Sequence, residues 1–276
     1  MARTRERRPP APAEGEPKSV AAPAKDLIDA IEREVIPRLV LAHRSPEPVM
    51  GVCEARGVPT EAEIVDFARI AVAQDLDAAL AKVDTFARDG LGLESILMDL
   101  IAPTARLLGE NWQSDLYTFS DVTAGLGLLQ KLVQVLGPSF APDAPHRGLC
   151  VLVAAPGEQH TLGLFLVGEF LRRAGWGIEL VPGLSEEELI SLVSTADVAM
   201  VGFTISGENH FPALTKTITA VRAHSRNQDL PILVGGGIDL TSFAAKLDVK
   251  FLNAPRMVVD WLENWARKNA ARRLDT

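Results

Sequence analysis

The sequence predicts an α/β protein in which a four-helix bundle precedes a five-stranded, doubly wound sheet. Between residues 60 and 137, apolar residues recur at helical spacing in four segments with short connections, as in an antiparallel bundle. From Leu149 the pattern changes to short, continuous apolar runs such as LCVLVAA, which are typical of strands buried on both faces. These runs alternate with helical segments, which predicts a parallel, flavodoxin-like (Rossmann-like) sheet.

The bundle helices are predicted from their caps and their apolar spacing. Thr60 followed by Glu63 forms a capping-box pattern, which predicts the start of the first helix. The second helix is expected to end at Asp89-Gly90, and the fourth at Gly137-Pro138. The third is expected to run from about Leu93 to Leu108 and to end at Gly109. The fourth is expected to start near Ser120.

The α/β domain is predicted from its alternating elements. The expected strands cover residues 149–155, 178–181, 197–204, 231–234 and 249–252. The expected helices cover residues 160–174, 185–196, 211–224, 241–247 and 255–270. The whole chain then divides into a disordered basic arm (1–25), an N-terminal helix and loop (26–59), the bundle (60–137), a linker (138–147) and the α/β domain (148–276).

Composition narrows the classes of function. Apolar residues make up 47% and charged residues 23%, the net charge is −8, and the pI is near 5.2. An acidic body offers no broad basic face for nucleic acid. The two cysteines, Cys53 and Cys150, lie far apart and support neither a disulfide framework nor a Cys-rich metal site. No apolar run is long enough to span a membrane, and the N-terminus lacks a secretory core, so we expect a cytoplasmic protein.

The N-terminal arm is basic. Residues 1–25 carry six Lys and Arg against three Glu. Such an arm can contact DNA or an acidic partner, and a solvated tail is the alternative interpretation.

Three loops hold the candidate site residues, because an open parallel sheet binds ligands at the carboxyl ends of its strands. The loop after the first strand contains Glu158, His160 and Gly163. The loop after the third strand contains Thr204 and Ser206, and the loop after the fourth begins with Gly235 and Gly236. A metal-ligating imidazole needs an acceptor for its other N–H, and Glu158 is close enough to supply it. The hydroxyls of Thr204 and Ser206 are candidates to bind an amide or a heterocycle nitrogen.

Each loop alone has an ordinary explanation. A single histidine after a strand is more often a surface or capping residue than a ligand, and glycine-rich turns are common in this fold. A phosphate-binding reading fails, because the sequence has neither GxxxxGK[ST] nor GxGxxG after the first strand.

Together the loops resemble the DxHxxG, SxL and GG signature of B12-binding domains. Glu158, Thr204 and Ser206 depart from it, since they replace Asp, Ser and Leu. The resemblance implies that His160 is the lower axial ligand of cobalt in a cobalamin, in the adenosyl or hydroxo form. It implies that the displaced nucleotide tail lies between the sheet and a helix. Leu162, Gly163, Gly235 and Gly236 would then contact the cofactor.

The bundle also resembles the helical cap that precedes such domains in corrinoid shuttles and B12 photoreceptors. The resemblance runs through Asp75, Gly90, Pro103, Gly109 and Trp112. It implies that Trp112 covers the upper face of the corrin. The usual explanation of a tryptophan at a helix end is core packing.

Two positions depart from the photoreceptors of the gene-repressor type. Gln113 follows the tryptophan, and Val122-Thr123 stand where those proteins have Glu-His. A second protein ligand above the cobalt is therefore not expected from these positions.

Overall the chain resembles the photosynthesis-gene antirepressors of purple bacteria, which bind cobalamin and act on a separate repressor protein. This implies a regulator that is not an enzyme, whose partner is a transcriptional repressor, and for which light is a candidate signal. DNA would be contacted indirectly or through the basic arm. Two alternatives stay open, a corrinoid protein of a methyltransferase system and a haem-binding sensor.

Overall fold

The structure, a computed structural model, describes residues 57–137 and 147–274, with side chains up to residue 270. The predicted basic arm, most of the predicted N-terminal helix and loop, and most of the predicted linker lie outside these residues. Within the described residues the predicted fold is confirmed, because a helical bundle precedes one five-stranded parallel sheet.

The bundle contains four helices. They are α1 (Glu61–Val72), α2 (Leu76–Arg88), α3 (residues 93–113) and α4 (Phe119–Leu136). Helix α1 starts with the predicted capping box, in which Thr60 N donates to Glu63 Oε2 over 2.9 Å. Helix α4 starts with a second capping box, formed by Thr118 and Asp121. Both boxes satisfy backbone N–H groups that the first helical turn leaves unpaired.

Helix α3 is longer than predicted. It runs without a break through Leu93–Ser95, a π-helical turn at Ile96–Ile101, and Ala102–Gln113. Gly109 therefore lies inside the helix, and the prediction that it ends the helix is wrong. Glycine is costly in a helix but does not stop it when tertiary packing holds the rest, and Leu108 beside it is fully buried.

The sheet has the strand order β2-β1-β3-β4-β5. The strands are β1 (Leu149–Ala154), β2 (Gly177–Leu180), β3 (Val198–Thr204), β4 (Ile232–Gly235) and β5 (Lys250–Phe251), and all pairs are parallel. The helices are α5 (Leu162–Arg173), α6 (Glu186–Thr195), α7 (Phe211–His224), α8 (Thr241–Leu247) and α9 (Pro255–Leu274). No helix among the described residues is long and apolar enough to cross a membrane.

Separate apolar clusters cover the two faces of the sheet. Val151, Val153 and Val201 lie in one cluster with residues of α6, α7 and α8. Cys150, Leu152 and Met200 lie in the other with residues of α5 and α9. The alternation of side chains along β1 divides them between the two faces, which is why the run LCVLVAA is apolar throughout.

Helix α5 belongs to both domains. Leu164 and Leu171 pack against the sheet, whereas Leu166 and Phe170 are buried in the core of the bundle. An ion pair between Arg256 of α9 and Glu94 at the start of α3 also joins the two parts, with an N–O distance of 3.0 Å. The bundle and the sheet therefore share one helix, and that helix begins two residues after His160.

Candidate cofactor-binding site

The three predicted loops meet at one edge of the sheet. Ala154 at the end of β1 pairs with Thr204 of β3, and Thr204 pairs with Gly235 of β4. Ala155 N donates to Thr204 O over 2.9 Å, and Ile205 N donates to Gly235 O over 2.9 Å. These bonds extend the ladders just past the strand ends, and so they fix where each loop begins.

A tight turn follows β1 and sets the direction of the residues that come after it. Glu158 N donates to Ala155 O over 2.8 Å, which closes a four-residue turn with Pro156 and Gly157 at its centre. Gly157 has φ +83°, a value that side chains with a Cβ rarely adopt. Proline followed by glycine at positive φ is the pattern of a type II turn. The turn keeps Glu158 close to the end of β1.

Glu158 is the centre of a hydrogen-bond network, and its side chain is only 1% exposed. Its Oε1 accepts from His160 Nδ1 over 2.7 Å and from His160 N over 2.8 Å. Its Oε2 accepts from Ser206 Oγ over 2.6 Å and from Ser206 N over 2.5 Å. The carboxylate thus ties the loop after β1 to the loop after β3.

The network keeps Glu158 ionised. Burial by itself would raise the pKa of this carboxyl, but the hydrogen bonds from Ser206 and His160 oppose it and lower the pKa to about 2. The carboxylate is therefore charged at neutral pH, and it can only accept hydrogen bonds.

His160 has one ring nitrogen hydrogen-bonded to the protein, while most of its side chain is exposed to solvent. Because Glu158 is an acceptor only, Nδ1 must carry the proton. Ser206 Oγ lies 2.9 Å from the same Nδ1. The side chain is nevertheless 74% exposed. In the neutral ring Nε2 is then the unprotonated nitrogen, which is the form in which imidazole ligates a metal.

Ser206 has its hydroxyl engaged within the protein, where it donates to Glu158 over 2.6 Å. That Ser206 also binds an amide or heterocycle nitrogen of a ligand stays a prediction. Thr204, with the same expectation, is a buried residue at the end of β3, where its carbonyl accepts from Ala155 N. Ser206 therefore supports the imidazole and Thr204 supports the sheet edge.

The glycines after β4 are needed for backbone packing. A Cβ on Gly236 would lie 1.8 Å from Ile205 O, and a Cβ on Gly235 would lie 2.9 Å from Leu252 O. Gly236 thus allows the close approach of the loop after β3, and Gly235 that of the residue after β5. That both glycines also contact the nucleotide tail of a cofactor stays a prediction.

Two further predicted residues lie at the start of α5. A Cβ on Gly163 would have nothing within 4 Å, so there is open space beside the loop that carries His160. Leu162, the first residue of α5, is half-buried against the core of the bundle. Both residues thus lie at the start of the helix that the two domains share.

Trp112 lies in the last turn of α3 and is 49% exposed. Its ring meets Phe119 edge to face, with 6.4 Å between the ring centroids. Phe119 is 68% exposed and Leu116 between them is 72% exposed. We call these three residues the aromatic patch. The contact recorded for the Trp112 ring is with Phe119, which is on the bundle and not in the network around His160.

His210 also belongs to the sheet edge. Its Nδ1 lies 3.1 Å from Pro156 O, in the turn that precedes Glu158. The signal that could have identified it is its place shortly after β3, the strand that neighbours β1.

The amino-acid sequence of residues 148–250 matches the family model described as the B12 binding domain. This part of the chain is therefore similar to B12-binding domains. The match begins just before β1 and ends at β5, and so it includes all three loops of the sheet edge.

Two known proteins resemble larger parts of the chain. One is described as an uncharacterized 20.5 kDa protein in the bchF-crtJ intergenic region of Rhodobacter capsulatus. It is 28% identical over 160 residues, which are 56% of this chain and 82% of that protein. The other is the structure of the monomethylamine corrinoid protein of Methanosarcina barkeri. It has a TM-score of 0.63 and 13% identity, and the match covers 74% of this chain and 99% of the other. The second likeness shows that the fold of the bundle and the α/β domain is shared.

Proposed function

We propose that the protein is a cobalamin-dependent regulator in which His160 Nε2 is the lower ligand of the cobalt. The observation that carries the proposal is the contact of Glu158 with His160. A buried carboxylate holds Nδ1 over 2.7 Å, while the ring is 74% exposed. A surface histidine has no need of such an acceptor, whereas a metal-ligating histidine commonly donates its other N–H to a carboxylate, which fixes the tautomer and raises the basicity of the ligating nitrogen.

The surroundings of the His160 ring leave room for a large planar group. Nε2 would be the atom that ligates the metal, and the space beside Gly163 is open. A bound cobalamin would supply a cobalt with an exchangeable ligand, which is sensitive to light when it is adenosyl. The role of this chain is to hold the imidazole, to cover the cofactor and to respond to its upper face.

We propose that the bundle is the part of the protein that changes conformation when the state of the cofactor changes. Helix α5 starts beside His160 and is buried in the bundle through Leu166 and Phe170. A change in the cobalt's ligand can shift the bundle between two arrangements only if the cofactor makes different contacts with each arrangement. The exposed aromatic patch of Trp112, Leu116 and Phe119 supplies such contacts. Packing these exposed apolar side chains against a planar ligand removes apolar surface from water and is therefore favourable.

The regulatory role rests on the relative from Rhodobacter capsulatus, whose gene region, bchF-crtJ, is a photosynthesis region. We propose that the moved surface of the bundle engages or releases a transcriptional repressor, with DNA contacted indirectly. The likeness of fold to the monomethylamine corrinoid protein motivates the second candidate, a corrinoid protein of a methyltransferase system.

Reconstitution of the full chain with adenosylcobalamin tests the proposal. We expect stoichiometric uptake in the dark, a visible spectrum altered by illumination, and changed amide exchange in α5 and the bundle after illumination. His160→Ala should lose most of the uptake. The matched control is His224→Ala, because His224 is an exposed histidine whose ring bonds only Ala220 O of its own helix among the contacts described. Equal uptake by wild type and His160→Ala would overturn the proposal. Uptake without any response of the bundle to light would favour the methyl-carrier alternative.

A further inference from the structure

The turn that presents Glu158 and His160 has one peptide whose direction is not set by the turn itself. In a turn closed from Glu158 N to Ala155 O, types I and II differ mainly by a flip of the central peptide. That peptide joins Pro156 to Gly157, and its oxygen is Pro156 O. The φ of +83° at Gly157 fits type II, but glycine permits both forms at little steric cost.

His210 contacts this peptide from the loop after β3. Its Nδ1 lies 3.1 Å from Pro156 O, and because a carbonyl oxygen only accepts, Nδ1 is the donor. The ring also covers Gly157, since a Cβ there would lie 3.3 Å from His210 Cε1 and from Nδ1. One side chain therefore holds the carbonyl in the direction of the type II turn and closes the space that the glycine leaves.

His210 is itself well anchored. Asn209 Nδ2 lies 3.2 Å from His210 Nε2, so the amide donates to the nitrogen that the Nδ1 proton leaves free. The residue ends a 3-10 turn, Glu208–His210, that leads directly into α7. Phe211, the next residue, stacks on Phe243 with 4.2 Å between the ring centroids. The imidazole is thus held at both nitrogens and by the backbone behind it.

We infer that His210 is a positioning residue for His160. It acts through the Pro156–Gly157 peptide, which sets the direction in which the loop leaves β1 and so the place of the Glu158 carboxylate. This inference rests on the proposed function, because it assumes that His160 ligates cobalt and adds that His210 supports this ligation.

The test compares the wild-type full chain with the variants His210→Ala, His210→Gln and His160→Ala. Hydroxocobalamin is the probe. Its Kd, and the fraction of bound cofactor that carries a histidine ligand, are measured beside the urea midpoint of the cofactor-free protein. His210→Ala should raise the Kd about three- to tenfold, the effect of losing one partly exposed hydrogen bond, and should lower the histidine-ligated fraction. His210→Gln keeps an N–H donor and should recover most of both.

The control variant is His224→Ala, which removes a comparable exposed ring from the other end of α7 and should leave all three quantities unchanged. The inference is overturned if His210→Ala binds like the wild type, if His210→Gln loses as much as His210→Ala, or if the urea midpoint falls in step with affinity. If His160→Ala also binds like the wild type, the proposed function fails. If only His160→Ala is impaired, the inference about His210 fails alone.

Discussion

Glu158 accepts a hydrogen bond from His160 Nδ1 over 2.7 Å, and the two side chains differ sharply in exposure, with 1% for the carboxylate and 74% for the ring. The acceptor is inside the protein and the donor ring is outside it. This arrangement orients the imidazole without covering it. It is the relationship on which our account of cobalamin ligation depends.

Ser206→Ala tests whether the third member of the network matters for ligation. The hydroxyl donates to Glu158 over 2.6 Å, and an alanine leaves that carboxylate oxygen with only the Ser206 backbone N–H among the partners described. Loss of a residue that supports a metal ligand costs about 10- to 100-fold in affinity, and we expect the lower end here because the backbone donor stays. Equilibrium dialysis with hydroxocobalamin measures it. Ser194→Ala, which removes an exposed hydroxyl from α6, is the control, and an equal Kd in both variants would contradict the prediction.

The ionisation of Glu158 should appear in the pH dependence of stability. The folded-state pKa of about 2 lies below the ordinary value of 4.5, so the stabilisation is complete above pH 4.5 and is lost as the pH falls towards 2. The difference between these two pKa values corresponds to about 3 kcal/mol.

Glu158→Gln removes this titration. We therefore expect the free energy of unfolding of the wild type to fall by about 3 kcal/mol more than that of the variant between pH 5 and 2. Urea unfolding of the cofactor-free proteins at several pH values measures the two curves. Glu187→Gln, a change at an exposed residue of α6, should follow the wild type. Parallel curves for wild type and Glu158→Gln would show that the carboxylate is not held as described.

Gly236 and Gly237 form a matched pair for testing the packing of the sheet edge. A Cβ on Gly236 would lie 1.8 Å from Ile205 O, whereas a Cβ on Gly237 would have nothing within 4 Å. Gly236→Ala should therefore lower the free energy of unfolding by about 3 kcal/mol, because a backbone atom must move, and Gly237→Ala should change it by less than about 0.5 kcal/mol. Thermal unfolding without cofactor separates them. Similar melting temperatures would mean that the two loops do not approach so closely.

Trp112→Ala tests the aromatic patch. Trp112 is 49% exposed, so its loss should lower the free energy of unfolding by no more than about 1 kcal/mol. If the patch covers the cofactor, cobalamin affinity should fall about three- to tenfold, the effect expected for a stacked ring. Met257→Ala is the control, since Met257 is 48% exposed on α9. Unchanged affinity in Trp112→Ala would separate the patch from the cofactor.

Much of the fold follows from local sequence. The capping box at Thr60 and the apolar run of β1 each act within a few residues, and the structure has both. The end of α3 could not be predicted in this way. Gly109 is a local stop signal, but helix α3 continues because Leu108 beside it is buried in the bundle.

The sequence predicts which residues form the site better than it predicts the contacts between them. Glu158 and His160 are two residues apart, so their hydrogen bond could be expected from sequence. Ser206 reaches Glu158 across 48 positions, and only the pairing of Ala154 with Thr204 brings them together. His210 and the two glycines after β4 likewise depend on how neighbouring loops pack, which no local pattern encodes.

The identity of the nitrogen on the cobalt tests the central claim most directly. The protein is produced with ¹⁵N-labelled histidine, loaded with unlabelled cobalamin, reduced to the Co(II) form and studied by electron paramagnetic resonance. Coordination by His160 predicts that the superhyperfine triplets of an unlabelled sample become doublets, because ¹⁵N has nuclear spin one half. His160→Ala should abolish this change. Triplets that persist in the labelled wild type would mean that the cofactor's own base holds the cobalt, and would contradict the account.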